Sequence, residues 1–403
     1  MKEWKAGVIG LGARGSSMLK SVLLKREDLH ITAVCDLYED RAADAAAMVR
    51  EKKGNLPFST TDAEAVITRD DVEIVFIFAA WEAHIPLTVR CMEAGKPVAV
   101  EVAGAYSVDQ CFDLVRAYER TKTPVFFLEN CCFGRRELMV LNMARQGVFG
   151  EIVHCDGGYC HDLRDEVAYG EKNRHYRLRN YLVRNCENYP THQLGPIFML
   201  LDMHRGNRFL TLQSVASKSA GLHEFIRNNM PEDPLCNAHF AQGDIITTII
   251  KCAGGQTIRL TLDTTLPRYY SRHYTVHGTK GMYEEQTDSV FLDGDPDHTE
   301  WHKHWGNAKD YEEKYEHSIW RDFLKDGVRG GHGGKDWLVC EHFVSRLTEG
   351  KPFCLSVYDM AVLMCVTALS EKSIALGGVP VDFPDFTNGR WTLPDGAAET
   401  DRL

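Results

Sequence analysis

The chain has 403 residues, 44% of them hydrophobic and 26% charged, which is ordinary globular composition, long enough for two cored domains, and excludes a disordered or fibrous protein. Its 46 Lys and Arg against 57 Asp and Glu leave a net charge of -11, arguing against nucleic acid or an anionic membrane as the main partner. No apolar run approaches the ~18 residues that cross a bilayer.

The opening residues run straight into an apolar strand, without the charged leader, apolar core and small-residue cleavage site of a secretory signal, so a cytoplasmic protein is expected. Thirteen cysteines are scattered, odd in number and free of any Cys-x-x-Cys pair. Most sit in apolar runs, as reduced buried thiols do.

Short apolar runs at 6–9, 31–35, 74–78, 98–100 and 125–128 alternate with helical spacing over about 14–25, 39–52, 83–94 and 108–120. Continuous rather than alternating apolarity suits strands buried on both faces, so this stretch predicts a doubly wound parallel sheet. A helix at about 136–145 comes next, and then the grammar changes. Longer, partly alternating segments at 152–160, 210–217, 244–252, 257–263 and 273–277, with turn signals at 253–255 and 278–281, predict a largely antiparallel open sheet in a second, α+β domain. Helices over about 335–347 and 357–376 close the chain, and the tail from Pro380 reads as surface. The acidic run 311–316 reads as a solvated helical face. Trp301-His302-Lys303-His304-Trp305 reads as an aromatic loop, because no second ligand set accompanies its histidines; no metal is expected.

Gly10-Leu11-Gly12-Ala13-Arg14-Gly15 lies between the first strand and the first helix. Glycines there allow a tight turn, close approach to a pyrophosphate and close helix packing, and the helix N-terminus offers unpaired N–H groups to the phosphates. Asp36 ends the second strand, 21 residues beyond Gly15. A carboxylate at that place accepts from the ribose hydroxyls and repels a 2′-phosphate, so NAD is the expected cofactor. Residues 1–130 are then an NAD-binding Rossmann domain and 131–403 an α+β domain for substrate binding and oligomerisation.

With this fingerprint, the stretch 79–84 and Ala94-Gly95-Lys96-Pro97 leading to Glu101, the first domain resembles the glucose–fructose oxidoreductase and inositol dehydrogenase family. The resemblance gives Arg14, His84 and Glu101 to the cofactor, with Gly10, Gly12, Gly15 and Asp36. Typical sugar dehydrogenases of that family carry Glu-Lys-Pro where this chain reads Glu101-Val102-Ala103, which counts against a plain alcohol dehydrogenase. In the second domain, Tyr159-Cys160-His161-Asp162, Asn188-Tyr189-Pro190-Thr191-His192, Pro267-Arg268-Tyr269-Tyr270 and Gly330-Gly331-His332-Gly333-Gly334 resemble the signatures of glycoside hydrolase family 109, the NAD-dependent α-N-acetylgalactosaminidases. Cys160, Gln193, Tyr269 and Lys335 depart from its pattern, and the export signal that many relatives carry is not expected here.

The resemblance implies hydrolysis by transient oxidation of a small glycoside: hydride leaves sugar C3, the ketone acidifies C2, C2 deprotonation expels the C1 substituent, water adds, and the hydride returns. No paired carboxylates are needed. His192 suits a base at the reacting hydroxyl because imidazole titrates near neutrality. Tyr189, three residues earlier, converges with it if a helix begins here, and Pro190 fits its first turn. Tyr159 and His161, two apart on a strand, point the same way. Tyr159 is a candidate C2 base or leaving-group acid, and Tyr270 a further phenol. Glu129 and Arg177 bind sugar hydroxyls by resemblance, and the loop around His332 meets sugar or cofactor. A homo-oligomer, dimer or tetramer, is expected from the open sheet. The alternative is an NAD-dependent sugar or polyol dehydrogenase.

Overall fold

The computed structural model describes residues 2–393 and 403. The chain divides into two compact units. One holds the chain up to Phe133 and takes it up again at Gly327–Val362; the other holds Gly134–Asp326 and the stretch from Leu363.

In the first unit six strands, β1 (Trp4–Ile9), β2 (Leu29–Cys35), β3 (Phe58–Thr60), β4 (Ile74–Ile77), β5 (Val98–Val100) and β6 (Val125–Phe127), form an all-parallel sheet in the order 3-2-1-4-5-6. This is the doubly wound arrangement, and the order reverses beside β1. Helices α1 (Ala13–Ser21), α2 (Glu39–Lys53), α3 (Ala63–Ile67), α4 (Trp81–Glu93) and α5 (Val108–Thr121) connect them. The apolar runs are buried as parallel strands must be: every residue of β4, β5 and β6 is buried. β3 escapes the hydrophobic pattern because Phe58 and Ser59 are exposed at the sheet edge.

The second unit holds α6 (Arg135–Arg145), β7 (Ile152–Cys160), α7 (Arg164–Ala168), α8 (Arg177–Val183), α9 (Thr191–Leu200), β8 (Phe209–Ala216), α10 (Gly221–Asn229), β9 (Ile245–Cys252), β10 (Thr257–Asp263), β11 (Thr275–Gly278), β12 (Gly281–Glu284), β13 (Ser289–Leu292), α11 (Glu312–Tyr315) and α12 (Ser318–Asp326). The chain then supplies α13 (Lys335–Glu349) to the first unit, before α14 (Val357–Ala375) and β14 (Val381–Asp382). The eight-stranded sheet runs 13-12-11-7-10-9-8-14. It is antiparallel except for β7 with β10, which run parallel. Leu212, Ile250, Ile258 and Leu260 are buried on one face, while Val215 and Ile249 on the other are half exposed.

Two expectations from the sequence are corrected by the fold. The tail is not wholly surface up to residue 393: Val381 and Asp382 pair with β8, and Phe383 and Phe386 are buried; positions 394–402 of that tail lie outside the described residues. The acidic run is not merely solvated: Glu316 is buried, and it and Glu312 pair with Arg135 while Glu312 also holds Arg136. Charge alone did not betray the partners, which are far away in sequence. Trp301–His304 forms a single 3-10 turn, within the aromatic loop its composition suggested.

Candidate active site

Gly10 has φ 90°, and a Cβ there would lie 2.4 Å from the Ala79 nitrogen; one on Gly15 would lie 1.9 Å from the Gly10 carbonyl oxygen. Only glycine permits this turn. Around Gly12, by contrast, the nearest heavy atom to a built Cβ is Arg41 Nη1 at 3.5 Å, so the α1 N-terminus is open to an oxyanion, as a dinucleotide requires. The Asp36 carboxylate accepts from the Leu11 amide (2.6 Å) and the Tyr38 amide (3.0 Å). It braces the glycine-rich loop, and each oxygen keeps a further lone pair for a hydroxyl.

The Arg14 guanidinium donates Nε to Glu101 (2.6 Å) and Nη1 and Nη2 to Asp336 (2.8 and 2.9 Å). Asp336 also accepts from Asn130 Nδ2 (2.8 Å) and lies 2.8 Å from His332 Nδ1. Burial opposes the Asp336 charge, but His332 and Arg14 hold the group well below the usual carboxylate range. Glu101, Arg14 and His332 are therefore brought together, by residues the sequence reading did not single out. His84 is buried with Nε2 2.8 Å from the Ala79 carbonyl, and burial lowers its pKa, keeping it neutral. Glu129 is fully buried at the end of β6, where it accepts from the Cys131 amide at 3.1 Å.

The second unit gathers Tyr159, His161, Arg177, Tyr189, His192 and Tyr270. The approach of α9 to β7 depends on Gly157: a Cβ there would stand 2.4 Å from Gln193 Cγ and 3.3 Å from Ile197 Cδ1. Pro190 caps α9, so Tyr189 and His192 stand one turn apart with ring centroids at 4.9 Å. Tyr159, on β7, lies 4.4 Å from the Tyr189 ring and 5.8 Å from that of His192. Its hydroxyl is 3.0 Å from His161 Nδ1. Tyr270, half exposed, sets its edge against His161 at 5.2 Å.

Arg177 is the buried cation of this cluster. Its guanidinium carbon lies 5.0 Å from the Tyr189 ring centroid, and Nε pairs with Glu166. Burial alone would raise Glu166, but Arg177 and His175 outweigh it and keep a carboxylate. Burial first, and then the Arg177 charge, lower the His161 pKa, so its ring is neutral near pH 7 and can accept the Tyr159 hydrogen at Nδ1. Tyrosine hydroxyls, imidazoles and a fixed cation in contact can move protons and steady a developing negative charge.

Glu187 escaped the sequence reading. It is buried, and neither carboxyl oxygen has a hydrogen-bond partner among the described residues; burial pushes its pKa up to about 8. Its backbone is fixed by Ser370 Oγ at 2.8 Å and Thr367 Oγ1 at 2.8 Å, and Gln242 bridges the flanking Cys186 and Asn188. The segment that presents Tyr189 is thereby held rigid. A glutamate beside the Asn-Tyr-Pro-Thr-His run was the only signal available.

Residues 133–393 match the model of the glycosyl hydrolase 109 C-terminal domain, and residues 4–128 that of the oxidoreductase family, NAD-binding Rossmann fold. The chain is 36% identical to an α-N-acetylgalactosaminidase of Tannerella forsythia, covering 96% of this chain and 86% of that protein. It is 35% identical to one of Shewanella oneidensis, covering 97% and 86%. Among solved structures, a levoglucosan dehydrogenase in complex with NADH and levoglucosan superposes with a TM-score of 0.69 at 18% identity, covering 95% of this chain and all of the other. A myo-inositol 2-dehydrogenase of Lactobacillus plantarum does so with a TM-score of 0.64 at 15% identity, covering 95% and 100%. The chain belongs to glycosyl hydrolase family 109, its NAD cofactor served by an amino-terminal Rossmann unit.

Proposed function

We propose that this protein hydrolyses α-N-acetylgalactosaminides or closely related glycosides by transient oxidation of the sugar. The observation that carries the reading is the cluster of Tyr159, His161, Tyr189, His192 and Tyr270 around the buried Arg177, in a chain that also keeps an open, glycine-lined α1 N-terminus. Gly10, Gly12, Gly15 and Asp36 would hold NAD there, and it would supply a reversible hydride acceptor for sugar C3. His192 removes the 3-hydroxyl proton, with Tyr189 orienting that hydroxyl. Tyr159 takes the C2 proton once its own hydroxyl hydrogen has passed to the neutral His161 ring, or else gives that hydrogen to the departing C1 oxygen and regains one from the water that adds. Tyr270 orients the ring, and Glu129 and Arg177 hold sugar hydroxyls. Arg177 also steadies the negative charge that builds as C2 is deprotonated.

Two further features belong to this reading. Self-association through the open sheet face, where Val215 and Ile249 are exposed, gives a homo-oligomer. No disulfide links the thirteen cysteines among the described residues, and all but Cys236 are buried, which suits a reducing, cytoplasmic setting. The proposed division of labour is residues 1–130 for the dinucleotide and 131–403 for substrate and self-association, with two exceptions: Glu129 serves the substrate, and the 330–336 segment lies in the dinucleotide unit.

The test is the absorbance spectrum of the purified protein together with a panel of nitrophenyl glycosides. Co-purified dinucleotide and nitrophenol release without added cofactor support the reading. Net NADH accumulation with free sugar would instead favour a dehydrogenase.

A further inference from the structure

We propose that Asp336 fixes His332 as a retention residue for the dinucleotide, its ring covering the phosphates at the α1 N-terminus. The proposal rests on the NAD reading above and adds a residue pair to it.

Asp336 is an expensive residue to keep inside the fold. A carboxylate with 0% exposure destabilises unless it is paired and hydrogen-bonded. The docking of α13 does not need it, since Trp337, Leu338, Val339 and Phe343 already bury an apolar face. Yet this carboxylate collects two bonds from Arg14, one from Asn130 and one from His332. Arg14 stands in the first turn of α1, just after the open Gly12, and its Nη1 is also 3.3 Å from His332 Nδ1. The network therefore ties the 330–334 loop to the helix end that receives phosphate.

The loop itself is built for one conformation. Gly330, His332, Gly333 and Gly334 all have positive φ (82°, 49°, 65° and 98°), and His332, having a Cβ, takes that region under strain. A Cβ on Gly331 would lie 2.5 Å from Asp336 Oδ2, so the loop presses directly on the carboxylate. With Nδ1 turned inward to Asp336, the ring is oriented and its Nε2 edge faces out; the side chain remains 57% exposed. With Nδ1–H given to Asp336, and with Arg14 already balanced by Glu101 and Asp336, the imidazolium would donate Nε2–H to a phosphate oxygen beside the helix N-terminus, and the neutral ring would accept there from a ribose hydroxyl. Such a lock serves an enzyme whose cofactor must not leave between its two hydride transfers.

The experiment measures release of NADH from the loaded protein, by loss of its fluorescence after mixing with excess NAD⁺, for wild type, His332→Ala and Asp336→Asn. Loss of one charge-assisted contact predicts release about tenfold faster for His332→Ala, with Asp336→Asn also faster and the melting temperature of His332→Ala unchanged. Should Asp336→Asn fail to fold, the surface variant still decides. Release from His332→Ala at the wild-type rate, with a raised KM for glycoside, would overturn the proposal and give His332 to the sugar while leaving the NAD reading intact. Wild-type protein that binds no dinucleotide would overturn both.

Discussion

The Tyr159 hydroxyl lies 3.0 Å from His161 Nδ1, and this single contact joins the end of β7 to the residue just beyond it. Groups that pass one proton between them act as a unit, so their losses do not add. Tyr159→Phe and His161→Ala should each lower kcat by about 10²–10⁴-fold, and the double variant little more than the worse single one. Steady-state kinetics of the four proteins check this; fully multiplicative losses would separate the two residues.

Glu187 predicts how stability depends on pH. Its folded pKa of about 8 lies above the ordinary value of 4.5 because burial penalises the charge. Between those values the folded chain binds the proton and the unfolded chain releases it, so this group subtracts stability as pH rises and the loss is complete above pH 8. Glu187→Gln should therefore melt near the wild-type temperature at pH 5 and be more stable at pH 8.5, by on the order of 3–5 kcal/mol. Calorimetry at the two values decides; equal gains at both would contradict it.

Gly157 predicts a packing effect at the site. With Gln193 Cγ 2.4 Å from where a Cβ would stand, Gly157→Ala must push α9 away from β7. The expected cost is about 1–3 kcal/mol of stability, with a larger fall in kcat than in dinucleotide affinity, because His192 rides on α9 and Tyr189 immediately precedes its cap, while the nucleotide fingerprint lies elsewhere. Thermal melts and steady-state kinetics of the variant check both parts.

Asp36 predicts cofactor choice. Its carboxylate is already anchored by the Leu11 and Tyr38 amides, so it cannot swing away from a 2′-phosphate. Titration calorimetry should find NAD bound and NADP bound at least about a hundredfold more weakly, with Asp36→Ala weakening NAD and narrowing the gap.

The Rossmann half was legible because parallel strands buried on both faces read as unbroken apolar runs, and the glycine fingerprint fixes their phase. The second sheet was legible in its longer strands β7 to β11, but not in the short β12, β13 and β14, nor in the parallel pairing of β7 with β10, since pairing partners distant in sequence leave no local mark. The aromatic residues were found through motif likeness, and their convergence comes from two short spacings: two residues across the end of β7 and three across the cap of α9. Asp336, Asn130, Glu166 and Glu187 were missed for one reason. Each takes its meaning from a partner or from burial set by the fold, and an isolated acid or amide in sequence is more often solvated.

Deuterium incorporation tests the central claim most directly. When hydrolysis of a nitrophenyl N-acetylgalactosaminide runs in heavy water, the mechanism predicts one deuterium at C2 of the released sugar, carried there as the C2 proton exchanges during elimination and water addition. Released sugar with only hydrogen at C2 would contradict elimination and with it the redox route.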